Sequence, residues 1–159
     1  MIILGIDPGS RVTGYGVIQA EGNQIRHLKS GAFSLYKTEE MSKRLGVLYT
    51  ELDALVQAYQ PVALSLEKAF SGINVRSALL LGQVRGAVLA FAGMRNIPVF
   101  EYAATAVKKA VTGYGRAEKE QVQEMVRILL SLPQIPKPHD AADGLALAIC
   151  HAHTNPQRW

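Results

Sequence analysis

The sequence is poor in cysteine: Cys150 is the one cysteine among 159 residues. A single cysteine cannot form an intramolecular disulfide and cannot build a zinc cluster, which excludes disulfide scaffolds and favours a reducing compartment. Cys150 is therefore predicted to be a small core residue. Residues 2–6 are apolar, but no basic leader precedes them and Asp7 follows too soon for a secretory signal, so we expect a cytoplasmic protein.

Long uncharged apolar runs are also lacking. The most apolar stretch, residues 77–94, contains Gln83 and Arg85, and its longest uncharged part is residues 86–94. A membrane span needs about 20 such residues, so no membrane segment is expected. Because repeats and low-complexity segments are missing, we predict a single domain over residues 1–159, with residues 155–159 as a loose tail.

Anionic side chains are in the minority, with 13 Asp and Glu against 17 Lys and Arg and a net charge of +4. This balance is compatible with a polyanionic partner but does not require one. Between residues 102 and 119, Lys108, Lys109, Arg116 and Lys119 stand against one anion, Glu118. This segment is a candidate phosphate-facing edge.

Hydrophobic periodicity predicts an α/β fold in which three antiparallel strands precede two parallel βα units. The predicted strands cover residues 2–6, 12–20, 25–33, 62–66 and 97–101. The predicted helices cover residues 41–59, 75–94, 103–111, 118–130 and 140–153. The helix at residues 75–94 is apolar almost all the way round, so we expect one face to meet the sheet and the other to meet a partner subunit.

Four carboxylates form the candidate site. Asp7 and Glu67 follow apolar strands, and ligands of open α/β sheets bind beyond the carboxyl ends of the strands. Asp140 and Asp143 are three residues apart at a predicted helix start, so they share one face of its first turn. Each also has an ordinary structural interpretation: a turn residue before Pro-Gly, a solvated strand end, or a helix cap that contributes ~1 kcal/mol.

If the four carboxylates converge, they repel one another. Two of them at about 5 Å, at an effective dielectric constant of about 20, repel by roughly 3 kcal/mol. Such a cluster needs cations, and hard oxygen ligands suit Mg²⁺ or Mn²⁺; two such ions can support phosphoryl chemistry.

Five segments carry a resemblance that covers nearly the whole chain. They are Gly5-Ile6-Asp7-Pro8-Gly9-Ser10, Leu66-Glu67-Lys68-Ala69-Phe70, Gly82-Gln83-Val84-Arg85-Gly86, Tyr114-Gly115-Arg116-Ala117-Glu118-Lys119 and Asp140-Ala141-Ala142-Asp143. Each motif alone is weak, but in this order and spacing they resemble the bacterial RuvC crossover junction endodeoxyribonucleases. The resemblance implies a ribonuclease H-like fold, a five-stranded mixed sheet flanked by helices, in a two-fold homodimer.

The resemblance also implies roles for individual residues. Asp7, Glu67, Asp140 and Asp143 would hold the metal, with two Mg²⁺ ions per site and Mn²⁺ able to substitute. Lys119 would stabilise charge on the phosphate, supported by Lys108, and Phe70 would insert against bases near the branch point of the DNA.

The cationic and aromatic candidates keep alternative interpretations. Lys108 and Lys119 could be solvated helix charges, and Phe70 could be a core or interface residue. Arg76 and Arg116 are candidate DNA contacts, although Arg76, like Arg85, could pair with a glutamate across a dimer instead.

Two positions depart from the family pattern. Gly144 stands where Ala is expected, which would loosen the helix by up to ~1 kcal/mol and could blur the placement of Asp143. His139 precedes Asp140 and is either a further metal ligand or an exposed residue.

The implied activity is symmetric, metal-dependent cleavage of Holliday junctions in DNA recombination and repair, leaving 5′-phosphate and 3′-hydroxyl ends. The implied partners are four-way junction DNA and the junction-binding and branch-migrating motor proteins. The alternatives are an actin-like nucleotide-binding module, a junction-binding protein without catalysis, and an RNA-processing nuclease of the same fold.

Overall fold

The computed structural model describes residues 1–68 and 74–155 of the chain. The strands are β1 (Ile2–Asp7), β2 (Val12–Glu21), β3 (Gln24–Ser34), β4 (Ala63–Glu67) and β5 (Val99–Tyr102). The helices are α1 (Met41–Tyr59), α2 (Val75–Met94), α3 (Ala104–Thr112), α4 (Lys119–Leu129) and α5 (His139–Thr154). Each predicted strand and helix overlaps an observed one, and the bounds differ by one or two residues at most ends.

The five strands form one mixed sheet in the order β3-β2-β1-β4-β5. β1, β2 and β3 pair antiparallel, whereas β4 pairs parallel with β1 on one side and with β5 on the other. The predicted antiparallel meander and parallel βα units are therefore confirmed. The parallel arrangement brings the carboxyl ends of β1 and β4 together at one edge of the sheet.

Strand alternation assigns side chains to the two faces of the sheet. Leu4 and Ile6 pack with α1 and α2 on one face, while Ile3 packs with α3, α4 and α5 on the other. Asp7 follows Ile3 and Gly5 at intervals of two and shares their face. Glu67 shares that face too, because Ser65, two residues earlier, donates a hydrogen bond of 2.7 Å to the carbonyl of Leu147 in α5.

Helix α5 lies unusually close to the sheet because glycines line the contact. A Cβ on Gly5 would lie 2.0 Å from the carbonyl oxygen of Gly144, and one on Gly16 would lie 2.5 Å from the backbone nitrogen of Leu145. A Cβ on Gly144 would in turn lie 2.4 Å from the carbonyl carbon of Tyr15. Any side chain at these positions would push the helix outward. Cys150, further along α5, is buried in this core as predicted.

Helix α2 covers the opposite face and is only partly buried. Val84, Val88, Phe91 and Ala92 are buried against the sheet and α1. By length and composition alone its 20 residues would suffice to cross a membrane. The sequence argument that this segment is too short is therefore wrong, because two arginines do not disqualify a helix of this length. What places α2 in the globular fold is the packing of its buried residues against the sheet and α1, not its length.

The predicted loose tail is described only at its first residue. The Nδ2 atom of Asn155 donates to the Tyr102 hydroxyl at 2.8 Å, and its backbone nitrogen donates to the His151 carbonyl at 3.1 Å. Asn155 is thus anchored, contrary to the prediction, while residues 156–159 lie outside the described residues.

Candidate active site

The fold brings the predicted carboxylates to one edge of the sheet. Asp7 is the last residue of β1 and Glu67 is the last residue of β4, its parallel neighbour. Asp140 and Asp143 lie in the first turns of α5, which begins at His139. A Cβ on Gly14 of β2 would lie 2.0 Å from the carbonyl oxygen of Asp140, so the start of this helix is pressed directly onto the sheet.

A cavity of about 320 Å³ opens at this edge. Its charged lining consists of Asp7, Glu67, Asp143, Lys108 and Lys119. Apolar residues of α3, α4 and α5 complete its wall, at Ala104, Val107, Val122, Ala146 and Leu147. Asp140 does not line the cavity itself, although its charge acts on Asp7 and Lys119. Asp7 and Asp143 therefore face the same space, as the nuclease interpretation requires.

Asp7 carries the strongest electrostatic perturbation of the cluster. Burial, followed by the negative charges of Asp143, Glu67 and Asp140, raises the pKa of Asp7 from 3.8 to about 7, although Lys119 acts in the opposite direction. Burial and three neighbouring carboxylates thus make ionisation of Asp7 costly in the protein alone. A bound cation would remove this cost, and this is the behaviour expected of a cation site.

Glu67 is perturbed in the same direction. Burial and the charge of Asp143 raise its pKa, whereas Arg85 and Lys108 lower it. The Glu67 carboxylate therefore interacts with both an anionic and a cationic set of neighbours, and Lys108 lines the same cavity.

Lys119 lies at the start of α4 and reaches back over the cavity. Its Nζ is 3.2 Å from Oδ2 of Asp143, and its side chain is 58% exposed. Burial alone would lower the pKa of Lys119, but Asp143, Asp140 and Asp7 together outweigh it and raise the pKa. The ammonium thus stays charged, at the position where it would meet a phosphate group entering the cavity.

The metal-binding geometry itself is incomplete in this arrangement. Among residues 1–68 and 74–155, no three acidic, histidine or cysteine side chains surround one point closely enough to hold an ion as they stand. The donors nevertheless fit a hard divalent cation, because they are carboxylate oxygens that repel one another and share one edge of the sheet. In the structure the ammonium of Lys119 offsets part of this negative charge at Asp143.

The helix-capping interpretation of Asp140 and Asp143 is wrong. The N-cap of α5 is Pro138, and no side chain makes a capping hydrogen bond there. Asp140 is thus the second residue of the helix, where a carboxylate interacts favourably with the helix dipole but leaves its oxygens free for other ligands.

The structure corrects the interpretation of Gly144 and agrees with one of the two interpretations of His139, that of an exposed residue. Gly144 does not blur the placement of Asp143, because its missing side chain allows α5 to contact Tyr15 and Gly16 closely. His139 is exposed, and its Nδ1 lies 3.1 Å from Nε2 of Gln123, so the structure pairs it with α4.

The candidate DNA contacts fall into three groups. Lys108 and Lys119 line the cavity. Arg76, in the first turn of α2, and Arg116, in the loop before α4, are exposed and do not line it. Phe70 lies outside the described residues.

Arg85 has partners that the sequence did not reveal. Its Nη1 donates to the backbone carbonyl of Glu67, and its Nη2 pairs with the carboxylate of Glu101 in the same chain. Pairing across a dimer and contact with phosphate are therefore not needed to explain this residue. The sequence did contain a signal for these intrachain partners: Arg85 is a lone charged residue in the apolar, core-facing part of a helix.

Two further polar residues support the site and were missed. The buried hydroxyl of Ser65 ties β4 to α5 just before Glu67. Gln123 is buried one turn after Lys119 and contacts His139, which joins α4 to the start of α5. The signal for Ser65 was its spacing of two residues from Glu67 along a strand.

The strand order, the helices on both faces and the acidic residues at the ends of β1 and β4 define a protein of the ribonuclease H-like class. Solved structures agree. The structure resembles Thermus thermophilus RuvC, with a TM-score of 0.88 and 34% identity over 96% of this chain and 94% of that chain. It also resembles T. thermophilus RuvC in complex with a Holliday junction substrate, with a TM-score of 0.92 and 33% identity over 98% and 95% of the two chains.

Sequence comparison gives the family. Residues 3–151 match the family described as "Crossover junction endodeoxyribonuclease RuvC". A relative of this name from Pseudothermotoga lettingae is 48% identical over 95% of this chain and 93% of its own length. Another from Alkaliphilus oremlandii is 48% identical over 97% and 94%. The chain belongs to the RuvC family of crossover junction endodeoxyribonucleases.

Proposed function

We propose that the chain is an endonuclease that resolves Holliday junctions by hydrolysing two symmetrically placed phosphodiester bonds. The observation that carries this proposal is the acidic cavity at the ends of β1 and β4, in a chain that matches the RuvC family over residues 3–151. The products would be nicked ends with 5′-phosphate and 3′-hydroxyl groups. Because water is the attacking group, no covalent intermediate with the protein is expected.

We propose Asp7, Glu67, Asp140 and Asp143 as the ligands of two Mg²⁺ ions, with Mn²⁺ able to substitute. The family is metal-dependent, and the four carboxylates supply the hard oxygen donors that these ions prefer. When bound, such ions offset the charge of the phosphate and lower the pKa of water. The pKa of Asp7 is raised to about 7 by burial first and then by the charges of Asp143, Glu67 and Asp140. The three charges are those of the other proposed ligands, which supports a shared site.

Lys119 and Lys108, which line the same cavity as the carboxylates, would act on the phosphate. The Lys119 ammonium can donate to a phosphate oxygen from its place beside Asp143, where it is largely exposed to an incoming strand. Lys108 adds a second positive charge on α3. Preorganised cations that meet developing negative charge stabilise the transition state.

Contacts with the rest of the junction are assigned to residues outside the cavity. Arg76 and Arg116 are exposed cations that could bind the sugar-phosphate backbone. Phe70 is proposed to stack against bases near the branch point.

The outer face of α2 supports a homodimer. Val75, Leu79 and Met94 are 77%, 65% and 71% exposed, although they are large apolar residues. Gly82 and Gly86 lie between them on the exposed surface, where an added Cβ would meet nothing within 4 Å. A second copy of α2 could therefore approach closely and cover this face, which gives the two equivalent sites that a two-fold symmetric junction requires.

Junction-binding and branch-migrating motor proteins are the further partners that we propose.

The test is cleavage of a synthetic four-way junction and a matching linear duplex during a Mg²⁺ titration. The chain should cut the junction in preference to the duplex, and only when Mg²⁺ is present. Asp7→Asn should bind the junction but leave it uncut, because it loses an anionic ligand and keeps the basic surface. Glu21→Gln removes an exposed carboxylate at the far end of β2 and should cut normally. Cutting by Asp7→Asn in Mg²⁺ would show that Asp7 is not a required ligand.

A further inference from the structure

Arg85 is a charged residue in the part of α2 that packs against the sheet. Its side chain is 13% exposed, and both of its known partners lie at the carboxyl edge of the sheet. Nη1 donates to the backbone carbonyl of Glu67 at the end of β4, and Nη2 pairs with the carboxylate of Glu101 in β5. A guanidinium can make both contacts at once because its donors form a rigid planar fork.

The sequence of β1 explains why the carbonyl of Glu67 needs such a donor. The parallel ladder between β1 and β4 ends at the pair Ile6 and Leu66, and the chain next reaches Asp7 and Pro8. Proline has no backbone N–H with which to continue a ladder. Arg85 lines a second, smaller cavity together with Asp7, Pro8 and Glu67. Its guanidinium therefore lies next to the point where the ladder stops.

The two partners of Arg85 come from different strands, and this ties the ends of those strands together. Leu66 pairs with Glu101 and Glu67 pairs with Tyr102 in the ladder between β4 and β5. The side chain of Glu101 reaches the α2 face, while that of Glu67 reaches the cavity on the opposite face. Arg85 thus binds the backbone of Glu67 from the α2 face of the sheet and does not line the larger cavity that contains the carboxylates.

We propose that Arg85 is a positioning residue for the cleavage reaction: the Glu67–Arg85–Glu101 clamp fixes the end of β4 and so fixes the Glu67 carboxylate against Asp7. This inference rests on the proposed function, in which Glu67 is a metal ligand. Because Arg85 belongs to α2, it also connects the helix proposed to form the dimer to the active site. Because both contacts engage the guanidinium within the chain, we expect that Arg85 does not bind DNA.

The test uses Arg85→Met, which keeps the length of the side chain and removes both contacts, and Arg85→Lys, which keeps the charge but has no planar fork. Arg95→Met is the matched control. Arg95 also extends from the α2 end and pairs with a carboxylate, that of Asp53 in α1, but it touches no residue of the cavity. Glu101→Gln removes one half of the clamp at an exposed position and serves as a second variant that should fold readily.

Three quantities are measured for each variant: the single-turnover rate on a saturating junction in Mg²⁺, the Kd for the junction without divalent ions, and the Kd for Mn²⁺ without DNA. Loss of a residue that supports a metal ligand commonly costs about 10- to 100-fold in activity or metal affinity. We expect losses of this size in rate and in Mn²⁺ binding for Arg85→Met, with the junction Kd changed by less than about twofold. Arg85→Lys and Glu101→Gln should show smaller losses, and Arg95→Met none.

The outcomes separate the alternatives. Equal losses of junction binding and cleavage in Arg85→Met would identify Arg85 as a phosphate contact and overturn the proposal. Equal losses in Arg95→Met would attribute the effect to α2 as a whole, and unchanged cleavage in both Arg85→Met and Glu101→Gln would reject the clamp. Failure of the unsubstituted chain to cut the junction would instead contradict the proposed function, and Mn²⁺ binding by the variants would still decide whether the clamp positions Glu67.

Discussion

The close contact between α5 and the sheet makes Gly5→Ala an informative change. The added methyl would lie 2.0 Å from the carbonyl oxygen of Gly144 and 2.7 Å from the backbone nitrogen of Ala148, whereas real contacts of this kind are at least about 3 Å. Both obstacles are backbone atoms, which cannot rotate away. The helix must therefore move outward by about 1 Å, or the strand must bend by a similar amount.

This movement should cost both stability and activity. Overpacking of this kind costs about 1–3 kcal/mol, and each kcal/mol lowers the Tm of a chain of this size by roughly 2–4 °C. Because Asp140 and Asp143 belong to the helix and Asp7 to the strand, the shift also separates the carboxylates. A misplacement of about 1 Å at a catalytic centre can reduce the rate by about 100-fold.

Thermal unfolding and single-turnover junction cleavage measure these two effects. Gly46→Ala is the control, because Gly46 lies inside α1 and an added Cβ there meets nothing within 4 Å. That substitution should raise stability by up to ~1 kcal/mol and leave cleavage unchanged. If Gly5→Ala unfolds and cuts like Gly46→Ala, the close contact does not position the aspartates.

Four other changes test separate parts of the structure. Ser65→Ala removes the buried hydrogen bond to Leu147 and should lower the free energy of unfolding by about 1–3 kcal/mol, which urea unfolding can measure. Lys119→Met should reduce the cleavage rate by about 100-fold while junction binding stays within a few-fold, and equal losses in both would make Lys119 a binding residue only. Leu79→Glu places a charge on the outer face of α2 and should yield a monomer in sedimentation experiments; if the variant is still a dimer, the interface does not lie on this face. Burial lowers the pKa of His151, so protonation favours the unfolded chain: its contribution to stability should be complete above about pH 6.5 and fall below it, and His151→Gln should flatten this slope in urea unfolding between pH 8 and 5.

Much of the fold follows from local patterns in the sequence. Continuous apolar runs produce β1 and β4 because both faces of these strands are covered by helices. Helical periodicity produces α1. The turn residues that follow Asp7 end β1. The remaining differences lie at the ends of elements, because capping and fraying, rather than hydrophobic burial, set the last residue there.

The candidate site was predictable only in part. Strand alternation in the sequence places Asp7 and Glu67 on one face once the two strands are known to be parallel neighbours. The capping interpretation of Asp140 failed because the N-cap is Pro138, two residues before Asp140, so Asp140 already lies inside the helix. Gly144 was misread as a flaw because the contact that needs it comes from Tyr15 and Gly16, far away in the chain.

Local sequence patterns are enough to specify the kinds of element, the alternation of strand residues between two faces and the presence of four carboxylates at element ends, because these features depend on periodicities of a few residues. Local patterns do not specify which of those ends meet, how closely α5 approaches the sheet, or that Arg85 joins Glu67 to Glu101; these follow from the folded chain. These are contacts between distant segments, and their geometry depends on the sheet register and helix docking that packing of the whole chain selects.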